Sequence, residues 1–217
     1  METLSLYELS DGGSNNPIFA EEYFMPDCNF EAILPPWLKK FSAEHREALL
    51  SDDERMKFAI ELARLNVING TGGPFGAAVF ERSSGNLVAV GVNLVVQSNC
   101  SHAHAEMLAL AIAQHNLSSY SLNQPGFPGY ELVTSTEPCA MCFGAIIWSG
   151  VSRLVCGACT ADAEHAGFDE GAKPGNWIAE LEKRGIEVVT GTCRSEAGAV
   201  LQLYIDRGGM VYNGRAR

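Results

Sequence analysis

The sequence predicts an α/β fold in three layers, a central mixed five-stranded sheet flanked by helices. Two observations carry this. Five short apolar or β-branched runs, at 77–81, 87–93, 130–134, 153–157 and 186–190, have the length of strands and are bounded by turn residues. From residue 104 onward these runs alternate with segments of helical length, which implies that the later strands are parallel, whereas the first two runs lie close enough for an antiparallel hairpin.

Residues 1–50 are punctuated by Asp11-Gly12-Gly13, Asn15-Asn16-Pro17 and Pro35-Pro36, with Phe19, Tyr23, Phe24 and Trp37 between them. This reads as an N-terminal extension whose apolar residues dock on the domain or on a partner. The domain proper occupies 51–217, with a C-terminal helix and tail. Ser51-Asp52-Asp53-Glu54 is a capping box, in which the Ser hydroxyl and the Glu carboxylate each satisfy a free backbone N–H. Met56, Ile60, Ala63 and Val67 follow at helical spacing, and Gly70 ends the helix at about Asn69. The runs 77–81 and 87–93 form a hairpin through Ser83-Ser84-Gly85-Asn86. Helices are then expected at 104 to about 116, 139–148, 177–184 and 195 to about 206, with strands at 130–134, 153–157 and 186–190 between them.

A chain of 217 residues holds one substantial core, and 47% hydrophobic with 19% charged residues is ordinary for a globular protein. No apolar run is long enough to span a bilayer, and the start, Met-Glu-Thr-Leu-Ser, has no basic patch followed by an apolar stretch. A soluble, cytoplasmic chain is expected, with no membrane partner. The net charge of −11 repels a polyphosphate and no Lys/Arg cluster reverses it, so a small uncharged substrate suits this surface better than nucleic acid. The seven cysteines, at 28, 100, 139, 142, 156, 159 and 193, favour free thiols and metal ligation over a disulfide framework.

Two motifs carry the chemistry: His104-Ala105-Glu106, and Pro138-Cys139-Ala140-Met141-Cys142. Zinc prefers nitrogen and thiolate donors in a tetrahedron, and a catalytic site keeps one position for water. His104, Cys139 and Cys142 are the expected ligands. Cys139 and Cys142 share a face on the first turn of a helix that Pro138 is suited to start, and a helix N-terminus favours the thiolate. Glu106 is read as the acid that moves protons to and from the activated water. Residues two apart do not share a helix face, so His104 and Glu106 converge only if the backbone is still entering the helix. Iron or cobalt suits the same donors. His-x-Glu followed by Pro-Cys-x-x-Cys is the signature of zinc deaminases acting on nucleobases. A second Cys-x-x-Cys, Cys156 to Cys159, begins in an expected strand, where positions three apart point to opposite faces; Cys156 reads as a buried free thiol. His102 lacks a Glu two residues on and reads as a rim residue.

On these motifs the chain resembles the cytidine-deaminase-like zinc superfamily, and within it the bacterial guanine deaminases more than the tRNA adenosine deaminases. The resemblance covers about 54–190 and extends to Gly72-Gly73-Pro74-Phe75-Gly76-Ala77, to Asn93 in Gly91-Val92-Asn93, to Cys142-Phe143-Gly144-Ala145-Ile146 and to Ala166-Gly167-Phe168-Asp169-Glu170. It implies the cytidine deaminase-like fold, a Zn2+ cofactor and a homodimer. It further implies that Phe75 shapes the base pocket and Asn93 hydrogen-bonds the purine. Glu170, where many relatives carry Asp, is implied to contact the guanine ring and assist proton transfer to the leaving amine. Ala105 and Tyr212 complete the implied substrate-binding set, Tyr212 through a C-terminal tail that closes this pocket or a neighbour's.

The implied activity is hydrolytic deamination of guanine to xanthine and ammonia, with zinc-bound hydroxide as nucleophile and Glu106 as proton shuttle. Guanosine, another aminopurine, an aminotriazine such as ammeline, cytosine and tRNA adenosine keep the same chemistry with another substrate. A catalytically silent zinc-binding scaffold is the alternative of a different class, and an intact Glu106 argues against it.

Overall fold

The computed structural model describes residues 34–45 and 47–214. The turn signals at 11–17, the aromatics Phe19, Tyr23 and Phe24, and the last three residues lie outside this range. In chain order the elements are α1 (Pro36–Glu44), α2 (Asp52–Ile68), β1 (Gly76–Glu81), β2 (Leu87–Val92), α3 (Val95–Ser98), α4 (Ala105–Asn116), β3 (Tyr130–Thr136), α5 (Ala140–Ser149), β4 (Arg153–Ala158), α6 (Thr160–His165), α7 (Trp177–Glu182), β5 (Glu187–Val189) and α8 (Arg194–Asp206).

The capping box at Ser51 forms as expected: Glu54 N–H donates to Ser51 Oγ, and Glu54 Oε2 accepts from Ser51 N–H at 2.9 Å. Asn69 closes α2, and Gly70 follows with a positive φ. The five expected strands are all present, with β5 shortened to three residues. Three short helices, α1, α3 and α6, were not anticipated. None exceeds nine residues, too few turns for apolar periodicity to stand out.

The sheet order is β2-β1-β3-β4-β5, with β1 antiparallel to both of its neighbours and the β3–β4 and β4–β5 pairs parallel. Four strands therefore run one way and β1 alone runs the other, giving the mixed sheet that was expected. Strand alternation divides the core in two. Ala78, Phe80, Val90, Val92, Val133 and Val155 pack with Met56 and Leu62 of α2 and Leu201 of α8. Ala77, Val79, Ala89, Leu132 and Leu154 pack with Ala105 and Ala109 of α4, Ile146 of α5 and Leu181 of α7. The sheet is thus covered on both faces, in three layers. α1 joins the first cluster through the fully buried Leu38 and the half-buried Trp37. This topology puts the C-terminal ends of β2, β3 and β4 on one edge of the sheet, the position at which open α/β sheets bind ligands.

Candidate active site

His104 is the N-cap of α4, with extended backbone (φ −76°, ψ 156°), and Glu106 lies in the first turn. The turn from extended to helical backbone lets both side chains point to one cavity, meeting the condition set by their spacing. Cys139 is the extended N-cap of α5, and Cys142 follows in its first turn. The sulfurs of Cys139 and Cys142 each lie 3.6 Å from His104 Nδ1, and the three donor atoms fall within 4.8 Å of one another. A tetrahedral zinc about 2.0 Å from nitrogen and about 2.3 Å from sulfur holds those two atoms about 3.5 Å apart, close to the distance seen, so the donor set and its spacing fit the ion. Among the described residues this is the one cluster of its kind. Cys156 is buried in the sheet face against α4 and α5, and Cys159 caps α6 instead. His102 is exposed beside Cys100, with 3.4 Å from its Nε2 to the Cys100 sulfur.

Of the two cysteines, Cys139 is the one held as a thiolate. A hydrogen bond with Cys142 pulls the Cys139 thiol down to about 4, helped by His104 and opposed by burial. Cys142 is raised correspondingly by its partner Cys139 and by burial. Burial, and then the Cys139 charge, hold the Glu106 carboxyl above its usual range. Glu170 is pushed up to about 8 by burial first and by Cys139 and Glu106 next. Its Oε2 is buried without a hydrogen-bond partner, and its backbone carbonyl accepts from Ala140 N–H at 2.9 Å, which ties the Glu170 loop to the start of α5.

Phe75, Asn93, His104, Glu106, Cys139, Glu170 and Tyr212 all line one cavity. Ala105 is not among the lining residues; its side chain is fully buried in the core cluster between the sheet and α4. Gly72 and Gly73 permit the contact between the 71–75 loop and Asn93, because a Cβ on Gly72 would sit 1.9 Å from Asn93 O. The cavity also takes Val95 and Val96 from α3, Glu137, Phe168, Tyr204 and Met210, none of which had been given a role. Phe168 sits in a quoted motif, but its value emerges only in three dimensions, where its ring meets Phe75 edge-on at 4.9 Å and stacks on Tyr204 at 6.2 Å.

The tail lines the chain's own cavity through Met210 and Tyr212. Tyr204 Oη donates to Met210 O at 2.8 Å, and Gly209 packs so tightly under the Tyr204 ring that a Cβ would come within 2.4 Å of it. Asn213 then clips the tail to the Glu170 loop: its Oδ1 accepts from Asp169 N–H at 2.9 Å and its Nδ2 donates to Gly167 O at 3.0 Å. On the other side, Lys173 Nζ donates to Pro138 O and to Thr160 Oγ1, both at 2.8 Å, fixing the peptide that precedes Cys139.

Residues 50–158 match the family model of the cytidine and deoxycytidylate deaminase zinc-binding region. Guanine deaminase of Bacillus subtilis is 41% identical over 115 residues, 53% of this chain and 69% of that one. The tRNA-specific adenosine deaminase of Buchnera aphidicola is 33% identical over 151 residues, 69% of this chain and 91% of that one. A solved structure of guanine deaminase from Nitrosomonas europaea is 51% identical, covers 79% of this chain and 93% of its own, and superposes with a TM-score of 0.76.

Proposed function

Since the chain belongs to the cytidine and deoxycytidylate deaminase zinc-binding family, we propose that it is a zinc-dependent aminohydrolase converting guanine to xanthine and ammonia. The observation that carries this is one cavity holding a His/Cys/Cys metal cluster, a buried Glu106 beside it and a second buried carboxylate, Glu170, with an unpartnered oxygen.

His104, Cys139 and Cys142 hold the zinc, which when bound supplies Lewis-acid activation of a water molecule. Glu106 accepts a proton from the attacking water and passes it to the ring nitrogen beside the carbon under attack. The water oxygen, still carrying its second proton, bonds to that carbon; Glu106 with Glu170 moves this second proton to the exocyclic amine, so that the C–N bond breaks, ammonia leaves and the carbonyl of xanthine forms. Glu170 Oε2, engaged by no other group, accepts a hydrogen bond from the base. Asn93 hydrogen-bonds the purine, and the Phe75 ring, braced edge-on by Phe168, forms an apolar wall. Met210 and Tyr212 exclude bulk water, which strengthens these interactions. A pocket lined in part by the chain's own tail, on a molecule of charge −11, favours a free base over a tRNA loop.

A second copy is the partner we assign. α5 presents Met141 and Trp148 to solvent on one stripe, Trp148 at 84% exposure, an apolar surface of the kind that subunits cover. No helix among the described residues is long and apolar enough to cross a membrane, and the six cysteines among them are free, which suits a reducing cytoplasm.

The test is ammonia release by the zinc-replete protein on guanine, guanosine, adenine, cytosine, ammeline and a tRNA anticodon stem-loop. Dominant turnover of guanine supports the reading. Another preferred substrate would overturn the pocket assignment, and silence on the whole panel would leave only a zinc-binding scaffold. Sedimentation of the same preparation should give a dimer; a monomer at micromolar concentration contradicts the α5 interface.

A further inference from the structure

Asn66 is polar, fully buried and in the last turns of α2, among Leu62, Ala63 and Val67 of the apolar face. An amide there is costly unless every group is paired, and here each is. Asn66 Nδ2 donates to Gly73 O at 2.9 Å and to Asn93 O at 2.8 Å. Asn66 Oδ1 accepts from the Thr71 hydroxyl at 2.8 Å, and Thr71 Oγ1 in turn accepts from the Trp37 indole Nε1–H at 2.9 Å. The direction of this chain is fixed. An indole N–H can only donate and a carbonyl can only accept, so Thr71 must pass its one hydrogen to Asn66 Oδ1, and both hydrogens of the amide must face the carbonyls.

Those two carbonyls belong to the segments that frame the pocket. Gly73 leads into Phe75, whose N–H donates to Gly73 O at 2.9 Å, and Asn93 N–H donates to Phe75 O at 3.1 Å. Asn66 therefore sets how far apart these two pocket segments stand, and Trp37 carries that constraint to α1, ahead of the family-matched region.

We infer that Asn66 and Thr71, with Trp37 of the N-terminal helix, are positioning residues for substrate binding, holding Phe75 and Asn93 at the separation the base requires. The inference rests on the reading that Asn93 and Phe75 hold the base. It makes α1 part of the active-site frame rather than an appendage.

The experiment measures kcat and KM for guanine, zinc content and melting temperature in the full-length chain. The variants are Thr71→Val, Thr71→Ser, Trp37→Phe and Asn93→Ala. Thr71→Val keeps the shape and deletes the hydroxyl; it should raise KM about five- to tenfold, the worth of one hydrogen bond, with kcat within about twofold and zinc retained. Thr71→Ser should restore KM. Trp37→Phe should raise KM less, and should add nothing in the Thr71→Val background because both act through one chain. A lowered melting temperature with unchanged KM in Thr71→Val and Trp37→Phe would reduce the chain to a structural tether and overturn the inference. So would additive effects of the two substitutions. If Asn93→Ala leaves KM unchanged, the pocket reading itself fails and takes the inference with it; a defective Asn93→Ala beside a normal Thr71→Val sinks the inference alone.

Discussion

Glu106 is separated by a single residue from His104, a ligand in the proposed mechanism, which gives the carboxylate a different task. It lies at 6% exposure in the first turn of α4, where the metal cluster takes His104 but not the carboxylate. Glu106→Ala should therefore keep about one zinc per chain, measured by metal analysis, while kcat on guanine falls by about 10²- to 10⁴-fold, the usual worth of a general acid–base. Loss of zinc together with activity would show that the carboxylate helps to build the site instead. This residue was legible because its chemistry is written in local spacing: two positions from His104, with Pro138 and two cysteines in register further on. Asn66 was not legible, because its partners Gly73 and Asn93 lie 7 and 27 positions away and only the folded chain brings them together. Phe168 and Tyr204 were hidden for the same reason, each gaining its role from a ring contact between distant segments.

The proposed ligands depend on where α4 and α5 start, and α4 is held unusually close to the sheet. A Cβ on Gly91 of β2 would lie 2.1 Å from Ala105 O and 2.6 Å from Ala109 N, both in the α4 backbone. Gly91→Ala must push away the helix that begins at His104. It should cost about 1–3 kcal/mol by overpacking and weaken zinc retention against a chromophoric chelator. Gly198→Ala in α8 is the contrast, since nothing lies within 4 Å of its Cβ; it should gain about 0.5–1 kcal/mol from helix propensity and leave zinc affinity alone. Equal chelator sensitivity in both variants would refute the link between the β2–α4 contact and the metal site. At this scale the longer elements were readable from periodicity, capping and turn residues. The short α1, α3 and α6 were not, since their register comes from what they touch: α1 through Leu38 and Trp37, and α3 through Val95 at the pocket wall.

Across the whole molecule the two edges of the sheet divide the labour. The C-terminal ends of β2, β3 and β4 carry the chemistry, while the opposite edge carries an ion-pair network centred on Arg153, the first residue of β4. Arg153 pairs with Asp52 at 2.7 Å, Glu187 at 2.8 Å and Glu131 at 2.9 Å, and the fully buried Glu131 is shared with Arg55. The network ties the start of α2 to β3, β4 and β5. Its pH dependence has a definite sign. The hydrogen bond to Arg153 holds both Asp52 and Glu187 below their ordinary values of 3.8 and 4.5. A carboxylate depressed in the folded state adds stability that is complete above its unfolded pKa and is lost as pH falls through the folded one. Arg153→Leu should thus destabilise by about 2–4 kcal/mol at pH 7, chiefly through the buried Glu131 left with one partner. The gap from the wild type should narrow below about pH 4, as Asp52 and Glu187 take up protons in both proteins. Urea unfolding followed by circular dichroism at pH 7, 5, 4 and 3 measures that gap. Because both proteins carry the same metal ligands, acid-driven loss of zinc affects them alike and cancels in the difference. A gap that stays constant from neutral pH to pH 3 would mean that these two carboxylates contribute nothing through Arg153, and that Arg153 stabilises this edge through the buried Glu131 and packing instead.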